Sequence, residues 1–441
     1  MKNPSLPDPD IPDEEDVDPR FPPRSADYKV LGALASAFLA GEQSADAIVA
    51  RAARTLGHAY PWVRPLAERY LWLARPRWRD VVQLLRADLP LLRDLPRLAV
   101  AEWLQEPRVM VARWAGLPSI ATIGDLADWL RLLPGDLDWF ADLKRLCAGK
   151  RIRPALAHYT YKVLTKPSGS VRIIEAPKTR LKRLQRRILA EILDKIPAHE
   201  AAHGFVPGRS IRSFAAPHTG RRVVLRMDLL DFFPSFSGAR IQAFFRTAGY
   251  PEHVADLLGG ICTNAVPRAV SSDWIYRRPH LPQGAPTSPA LANGCFWRMD
   301  GRLSGLARSA NAVYTRYADD LAFSGGEDFS RQAENFAIGA AAILADGGLS
   351  VNHRKTRIMR EGVRQHLAGI VVNRHLNVAR DDFDRLKATL TNCVRLGPEN
   401  QNREGHPAFR QHLAGRVAFV ESVNAGRGRR LRAILERIDW P

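Results

Sequence analysis

The chain has 441 residues, 46% of them hydrophobic, and its 65 Lys and Arg against 46 Asp and Glu leave a formal charge of +19. That length and apolar content make a globular protein of two or three domains; no apolar run reaches transmembrane length, and the first residues lack the basic-then-apolar order of a signal peptide. Cys147, Cys262, Cys295 and Cys393 are far apart, with neither metal-ligand spacing nor a disulfide framework, so a reducing cytoplasm is the expected setting.

The Lys and Arg excess gains counterion-release free energy on a phosphate backbone, which makes nucleic acid the expected partner. An acidic lipid surface would need an amphipathic anchor, and none is evident. Residues 1 to 27 are Pro-rich and acidic, as in Pro12-Asp13-Glu14-Glu15-Asp16, and read as a solvated, disordered tail. From Tyr28 to about Gly149, Leu, Ala, Arg and Trp recur at helical spacing between prolines, which predicts a small all-helical domain over 28–149. Within it, Thr122-Ile123-Gly124-Asp125 reads as a capping box opening a helix. Seven of the ten tryptophans lie here (Trp62, Trp72, Trp78, Trp103, Trp114, Trp129 and Trp139) and are expected to fill its core. The alternative is that an exposed subset beside arginines, Trp72 and Trp78 with Arg75 and Arg77, stacks on RNA bases or grips a protein partner.

Residues 150 to 225 turn basic. His158 to Leu164 and Val171 to Glu175 read as strands joined by the hairpin loop Lys166-Pro167-Ser168-Gly169. Lys178 to Ile196 reads as an amphipathic helix with Leu181, Leu184, Ile188, Ile192 and Leu193 inward and Lys182, Arg183, Arg186 and Arg187 outward. Those charges are either a solvated face or a hold for triphosphate and template, and Arg172 is placed to pair bidentately with phosphate. His203-Gly204-Phe205 opens a Gly-punctuated loop. Val223 to Asp228 is a β-prone apolar run that delivers Asp228 at its end, ahead of the turn Phe232-Phe233-Pro234-Ser235. Leu281-Pro282-Gln283-Gly284-Ala285-Pro286-Thr287-Ser288-Pro289 reads as a shaped loop leading into a helix over Ala290 to Leu303.

The chemistry converges on Tyr317-Ala318-Asp319-Asp320, the centre of a predicted tight hairpin. Two adjacent carboxylates repel unless a cation offsets them, and oxygen-only ligands suit a hard ion such as Mg²⁺. Alone the motif fits a solvated acidic turn equally well. With Asp228 it supplies what two-metal phosphoryl transfer requires, carboxylates from two strands holding two ions.

The ordered set of Arg172 with Pro177, His203-Gly204-Phe205, Asp228 with Phe232-Phe233-Pro234-Ser235, Gln283 to Pro289, Tyr317 to Asp320, Asn352 with Lys355-Thr356, and Gly369-Ile370-Val371-Val372-Asn373 resembles bacterial reverse transcriptases, most closely the retron type. The resemblance implies an α+β right-hand polymerase with an N-terminal all-helical domain. Fingers and palm would span 150–372, the palm taking 226–238 and 286–372, and helices of 373–441 would form the thumb. It implies RNA-directed DNA polymerase activity, in the cytoplasm of a bacterium, with an RNA template, deoxynucleotides and a DNA product. By the same likeness, Asp228, Asp319 and Asp320, with the Leu229 carbonyl, would bind two Mg²⁺ ions, with Mn²⁺ as the alternative. Phe233 would be the gate that rejects a 2′-hydroxyl, Gln283 and Tyr317 would lie at the incoming nucleotide, Arg172 would grip its triphosphate, and Lys355 would protonate the leaving pyrophosphate. Lys355 equally fits a surface lysine on a helix-to-strand loop.

Thumb cations Lys387, Arg416, Arg427, Arg429, Arg430 and Arg432 would track a minor groove, while Phe419 and Leu431 read as core. Where retron enzymes often show Asn-Ala-x-x-His and Val-Thr-Gly, segments associated with recognising their own RNA, this chain has Phe214-Ala215-Ala216-Pro217-His218 and Leu367-Ala368-Gly369. Nothing after the thumb reads as a maturase or endonuclease extension. The likeness further implies a structured cognate RNA, an RNA-DNA hybrid product, a role in antiphage defence and an effector protein as a candidate partner. Two rivals remain, a nucleotide cyclase, which has no use for the Gln283 loop or a basic thumb, and a catalytically idle RNA-binding scaffold, against which the intact carboxylate triad counts.

Overall fold

The computed structural model describes residues 26–40, 43–73, 78–104, 110, 112–132, 134–148, 156–165 and 171–440. The acidic stretch before Ala26, Arg75, Arg77, the side chain of Trp78 and the hairpin loop at Lys166 to Gly169 lie outside the described residues. The chain divides into two compact units, Met1–Arg108 and Val109–Pro441.

In the first unit the described elements are helices: α1 (Ala26–Leu39), α2 (Ala45–Leu56), α3 (Val63–Leu71), α4 (Trp78–Arg86) and α5 (Leu89–Asp94). Ser44 and Asp88 accept from the free backbone N–H groups of Ala47 and Leu91, which sets where α2 and α5 begin. The core gathers Leu31, Leu34, Phe38, Ile48, Leu66 and Leu85.

The helical stretch expected to run to residue 149 ends sooner as a unit. Helices α6 (Ile123–Leu130) and α7 (Pro134–Ala141) belong to the second unit, where Leu126, Leu130, Leu137 and Phe140 share a core with Leu184, Leu225 and Phe245. The capping box at Thr122 and Asp125 forms as the sequence predicts. The tryptophan expectation holds for Trp62; Trp72, Trp103 and Trp139 are exposed and Trp114 and Trp129 are half-buried. The indole N–H needs an acceptor, and charged acceptors lie at edges: Trp62 donates to Asp94 at 2.9 Å and Trp129 to Glu191 at 2.8 Å, with Arg187 over the Trp129 ring.

Strands β1 (Tyr159–Thr165) and β2 (Val171–Pro177) form an antiparallel hairpin, followed by α8 (Thr179–Glu191). Leu181, Leu184 and Ile188 of α8 are buried while Lys182, Arg183 and Arg186 are exposed, as its periodicity requires. Next come α9 (Ile211–Ala215), β3 (Val223–Leu230), α10 (Gly238–Ala248), α11 (Glu252–Cys262), α12 (Trp274–Arg277) and α13 (Ser288–Ser309). The chain continues through β4 (Ala312–Tyr317), β5 (Asp320–Gly325), α14 (Glu327–Asp346), β6 (Ser350–Val351), β7 (Arg357–Arg360), β8 (His366–Leu367) and β9 (Ile370–Val371). Helices α15 (Arg380–Leu396), α16 (Phe409–Val423) and α17 (Ala425–Leu435) close it.

The central sheet is antiparallel in the order β4-β5-β3-β6, with β7 also paired to β3. Side chains alternate along each strand. Leu225, Met227, Leu321, Phe323 and Tyr314 pack on one face against α13 and α14, while Val224 and Ala322 face the core shared with α9 and α15 to α17. Leu431 is in that second core, but Phe419, expected there, is 41% exposed. Helix α16 buries the stripe Leu413, Val417 and Val420, and position 419 falls off it. Of the expected groove-tracking cations, Lys387, Arg429 and Arg430 are exposed, whereas Arg432 pairs with Glu421 at 2.7 Å and Arg427 lies over Phe383.

Candidate active site

Antiparallel register places Asp228, near the end of β3, directly opposite Asp320, the first residue of β5. Tyr317 pairs with Asp320, so Ala318 and Asp319 form the two-residue turn of the β4–β5 hairpin. Ala318 adopts a left-handed φ of 55°, and the Asp319 carbonyl accepts from Leu229 N–H at 3.1 Å, which binds the turn to β3. Gly204 of the His203-Gly204-Phe205 loop lies against this turn, where a Cβ would stand 2.5 Å from the Ala318 nitrogen. That close approach demands glycine.

Beneath the turn sits Arg316, fully buried with Asp300 of α13. Its guanidinium meets both Asp300 oxygens at 2.9 and 2.7 Å, Asn293 Oδ1 at 3.0 Å and the Ala318 carbonyl at 3.2 Å, and stacks on Phe296. Asn293 in turn donates to the Gly204 carbonyl at 2.9 Å. Sequence reasoning passed over Arg316; its place directly before the acidic motif was the available signal.

A cavity of about 180 Å³ opens above the carboxylates, lined by Asp228, Asp319, Lys355, Arg172, Gln283 and Phe233 among others. Six expected residues from five separate segments thus come together, and Leu229 lines the same space. Two do not. Tyr317 is half-buried with its ring 5.8 Å from Phe214, packed into the core shared with α9 and α15 to α17, and Asp320 is turned onto Arg226, whose Nη2 lies 2.8 Å from Oδ1. Tyr276, Phe205 and Asn352 also line the cavity. The sequence carried no sign of Tyr276, which reaches the site because α12 folds back on β2.

Lys355 lies on the turn between β6 and β7, not on a helix-to-strand loop, and its Nζ stands 3.1 Å from the Asp228 carboxylate. Asn352 donates to the same carboxylate at 3.1 Å. The backbone of Gln283 accepts from Glu175 N–H at 2.9 Å, and Gly284, at φ 135°, brings the loop so near β2 that a Cβ would meet the Glu175 carbonyl at 2.8 Å. Loop and hairpin are therefore one framework.

Burial raises the Asp319 carboxyl above its ordinary range, and the nearby charges of Asp320 and Asp228 push the same way, opposed by Lys355. This is the electrostatics of a site short of positive charge. Among the described residues no three His, Cys, Asp or Glu side chains gather closely enough to cage an ion unaided. Carboxylates at a cavity, here Asp228 and Asp319 with Asp231 also on its lining, fit a divalent ion that keeps water and takes phosphate oxygens as further ligands.

His218, from the segment the resemblance associates with RNA recognition, is fully buried. Its ring nitrogens meet Ser324 Oγ at 2.7 Å and Thr315 Oγ1 at 2.8 Å, fastening α9 to β4 and β5. It is a pin inside the fold and has no surface to offer RNA. Leu367 is likewise buried, and Ala368 and Gly369 form the left-handed turn between β8 and β9.

Comparison with known proteins agrees with this geometry. The sequence model of the family "Reverse transcriptase (RNA-dependent DNA polymerase)" matches residues 164–382. The chain is 42% identical over 323 residues to the retron Mx65 reverse transcriptase of Myxococcus xanthus, covering 72% of this chain and 71% of that one. It is 35% identical over 347 residues to the retron Mx162 reverse transcriptase of the same organism, covering 74% and 69%. Against the retron Ec86 reverse transcriptase of Escherichia coli it is 30% identical over 290 residues, covering 64% and 82%.

Proposed function

From the premise that the chain belongs to the retron-type reverse transcriptases, and is an RNA-directed DNA polymerase, we propose how its own residues divide the work. Asp228, Asp319 and Asp320, with the Leu229 carbonyl, would hold two Mg²⁺ ions, for which Mn²⁺ could substitute. When bound, the metal screens the triphosphate and stabilises charge in the in-line displacement. Arg172 binds the triphosphate of the deoxynucleotide, and Gln283 positions its base and sugar from the loop. Phe233 lies beneath the sugar and excludes a 2′-hydroxyl. Lys355 protonates the departing pyrophosphate, its ammonium being held ready at Asp228. Tyr317 acts by packing, its ring against Phe214.

The observation that carries this reading is the cavity itself, in which three carboxylates, Asp228, Asp231 and Asp319, a lysine, an arginine and the Gln283 loop meet from segments far apart in sequence. Fingers would be the β1–β2 hairpin with α8 and residues 239–285, the palm the central sheet with α13 and α14, and the thumb α15 to α17. The first unit, a helical domain, would serve an interaction outside polymerisation. The template is a structured RNA, and the product a DNA joined to it, started from a 2′-hydroxyl in that RNA or a 3′-hydroxyl, in a system that defends a bacterium against phage with an effector protein.

The test is to purify the chain from cells carrying its native locus and to digest the bound nucleic acid with RNase or DNase. A short DNA covalently joined to RNA, absent from an Asp228→Asn and Asp319→Asn double variant, is the expected result. RNA alone from both, with no deoxynucleotide incorporation on an added primed RNA template, would overturn it.

A further inference from the structure

Glu175 on β2 and His280, three residues before Gln283, are both fully buried, with Nε2 of the imidazole 2.9 Å from Glu175 Oε1. The other ring nitrogen, Nδ1, lies 2.7 Å from the Arg278 carbonyl. Both ring nitrogens therefore face oxygens that accept. The carbonyl can only accept, so Nδ1 carries a hydrogen. If Nε2 and Oε1 were both bare, two lone pairs would face each other in a dry interior, so one further proton must lie between them. The second carboxylate oxygen is taken by Asn264 Nδ2 at 2.7 Å, and Asn264 also reaches the Tyr161 hydroxyl at 3.2 Å.

We propose that His280 is a positioning residue for the incoming nucleotide: it shares one buried proton with Glu175 and so locks the hairpin that carries Arg172 to the loop that carries Gln283. The proposal rests on the reading of Arg172 and Gln283 as nucleotide contacts. Backbone bonds alone leave this junction to the single Glu175 N–H bond to Gln283, whereas His280 is anchored on both sides, its own backbone N–H and carbonyl exchanging bonds of 3.0 Å with Asn264. A buried carboxylate without its partner is strongly unfavourable and would turn toward water. Losing the shared proton therefore loosens the junction and moves Arg172 relative to Gln283.

The groups that face the imidazole are few. They are Glu175 from β2, the Tyr161 hydroxyl of β1 behind Asn264, the Tyr276 ring of α12 at 5.6 Å, and Arg278, whose guanidinium lies over Trp274. Asp231 and Asp273 act on the Tyr276 phenol, raising it together with Glu175. Burial pushes both phenols up to about 12, so neither adds charge at working pH. Glu175 and His280 answer to each other.

The experiment is primer extension on an RNA template by the full chain, measuring KM for deoxynucleotide and kcat. Glu175→Ala and His280→Ala each raise KM about tenfold while kcat at saturation changes less, because a displaced contact weakens binding before chemistry. Glu175→Gln gives the opposite of a structural loss: its amide donates to a neutral Nε2 and still accepts from Asn264, so KM stays within about twofold of the wild type. A rise in KM in Glu175→Gln as large as that in Glu175→Ala overturns the proposal. Arg172→Ala and Gln283→Ala separate the two levels: if neither raises nucleotide KM, reading and proposal both fall, and if both do while His280→Ala does not, the proposal alone falls. Should His280→Ala fail to fold, the ¹⁵N spectrum of the histidine-labelled chain, assigned through His280→Gln, decides: Nε2 without a proton-bearing or proton-sharing shift near neutral pH overturns it.

Discussion

Two buried acid–base pairs hold the two halves of the candidate site, and they differ in the basic group that meets the carboxylate. Under the metal-binding turn, Arg316 meets Asp300 through two parallel bonds and still has donors for Asn293 and Ala318. Behind the nucleotide loop, His280 meets Glu175 through one. A guanidinium keeps its charge at any working pH and fixes a plane, while an imidazole can give its proton up. The geometry that must stay constant, two carboxylates at fixed separation, rests on the permanent charge. The junction that sets Arg172 against Gln283 rests on a single shared hydrogen.

The comparison breaks most sharply at the carboxylates that the Arg316 pair supports. Asp228→Asn and Asp319→Asn should each lower polymerisation about a thousandfold, whereas Asp320→Asn, whose carboxylate is occupied by Arg226, should cost less, as read by deoxynucleotide incorporation on a primed RNA template. Asp319→Asn should at the same time raise the melting temperature of the metal-free protein. Its raised carboxyl binds a proton more tightly folded than unfolded, so the charge it carries at neutral pH works against the fold. The same sign makes divalent-metal affinity fall as pH drops through that raised range.

Next in size is the support itself. Arg316→Met leaves Asp300 buried without a counter-charge, with the Tyr314 hydroxyl still donating to it at 2.8 Å, and should cost about 3–5 kcal/mol in urea unfolding, much of it recovered by adding Asp300→Leu. Variants of His280 should instead appear chiefly in nucleotide KM. Failure of that contrast would show that the two pairs do the same job.

The smallest effect concerns a third buried group, His218, which burial holds down to about 3 against an ordinary 6.5. It is neutral in the fold. As pH falls below about 6.5 the unfolded chain takes up a proton that the folded chain refuses, so stability declines down to about pH 3, by at most about 1.4 kcal/mol per pH unit. His203, held down to about 4 by burial, adds to the same decline. His218→Gln should flatten the slope of unfolding free energy against pH by the contribution of one proton.

Much of this was legible along the chain. The β-prone apolar run that ends at Asp228, the tight hairpin turn around Ala318, Asp319 and Asp320, the capping box at Thr122 and the inward stripe of α8 are local patterns, and local patterns are what a sequence states directly. The carboxylates and their order follow from sequence because a strand end and a hairpin turn are local devices. What the sequence could not state is which distant groups each face would meet. Trp72 and Trp103 carry the same apolar signal as Trp62 yet lie in water, Phe419 sits one step off the buried stripe of α16, and Asp320, beside Asp319 in the chain, points to Arg226 instead of the cavity. The unit boundary at Arg108 follows from what α6 and α7 pack against. Arg316 on Asp300 and His280 on Glu175 join residues 16 and 105 positions apart. Periodicity fixes the direction of a side chain, whereas its partner, and with it burial and charge state, is decided only when the elements are packed.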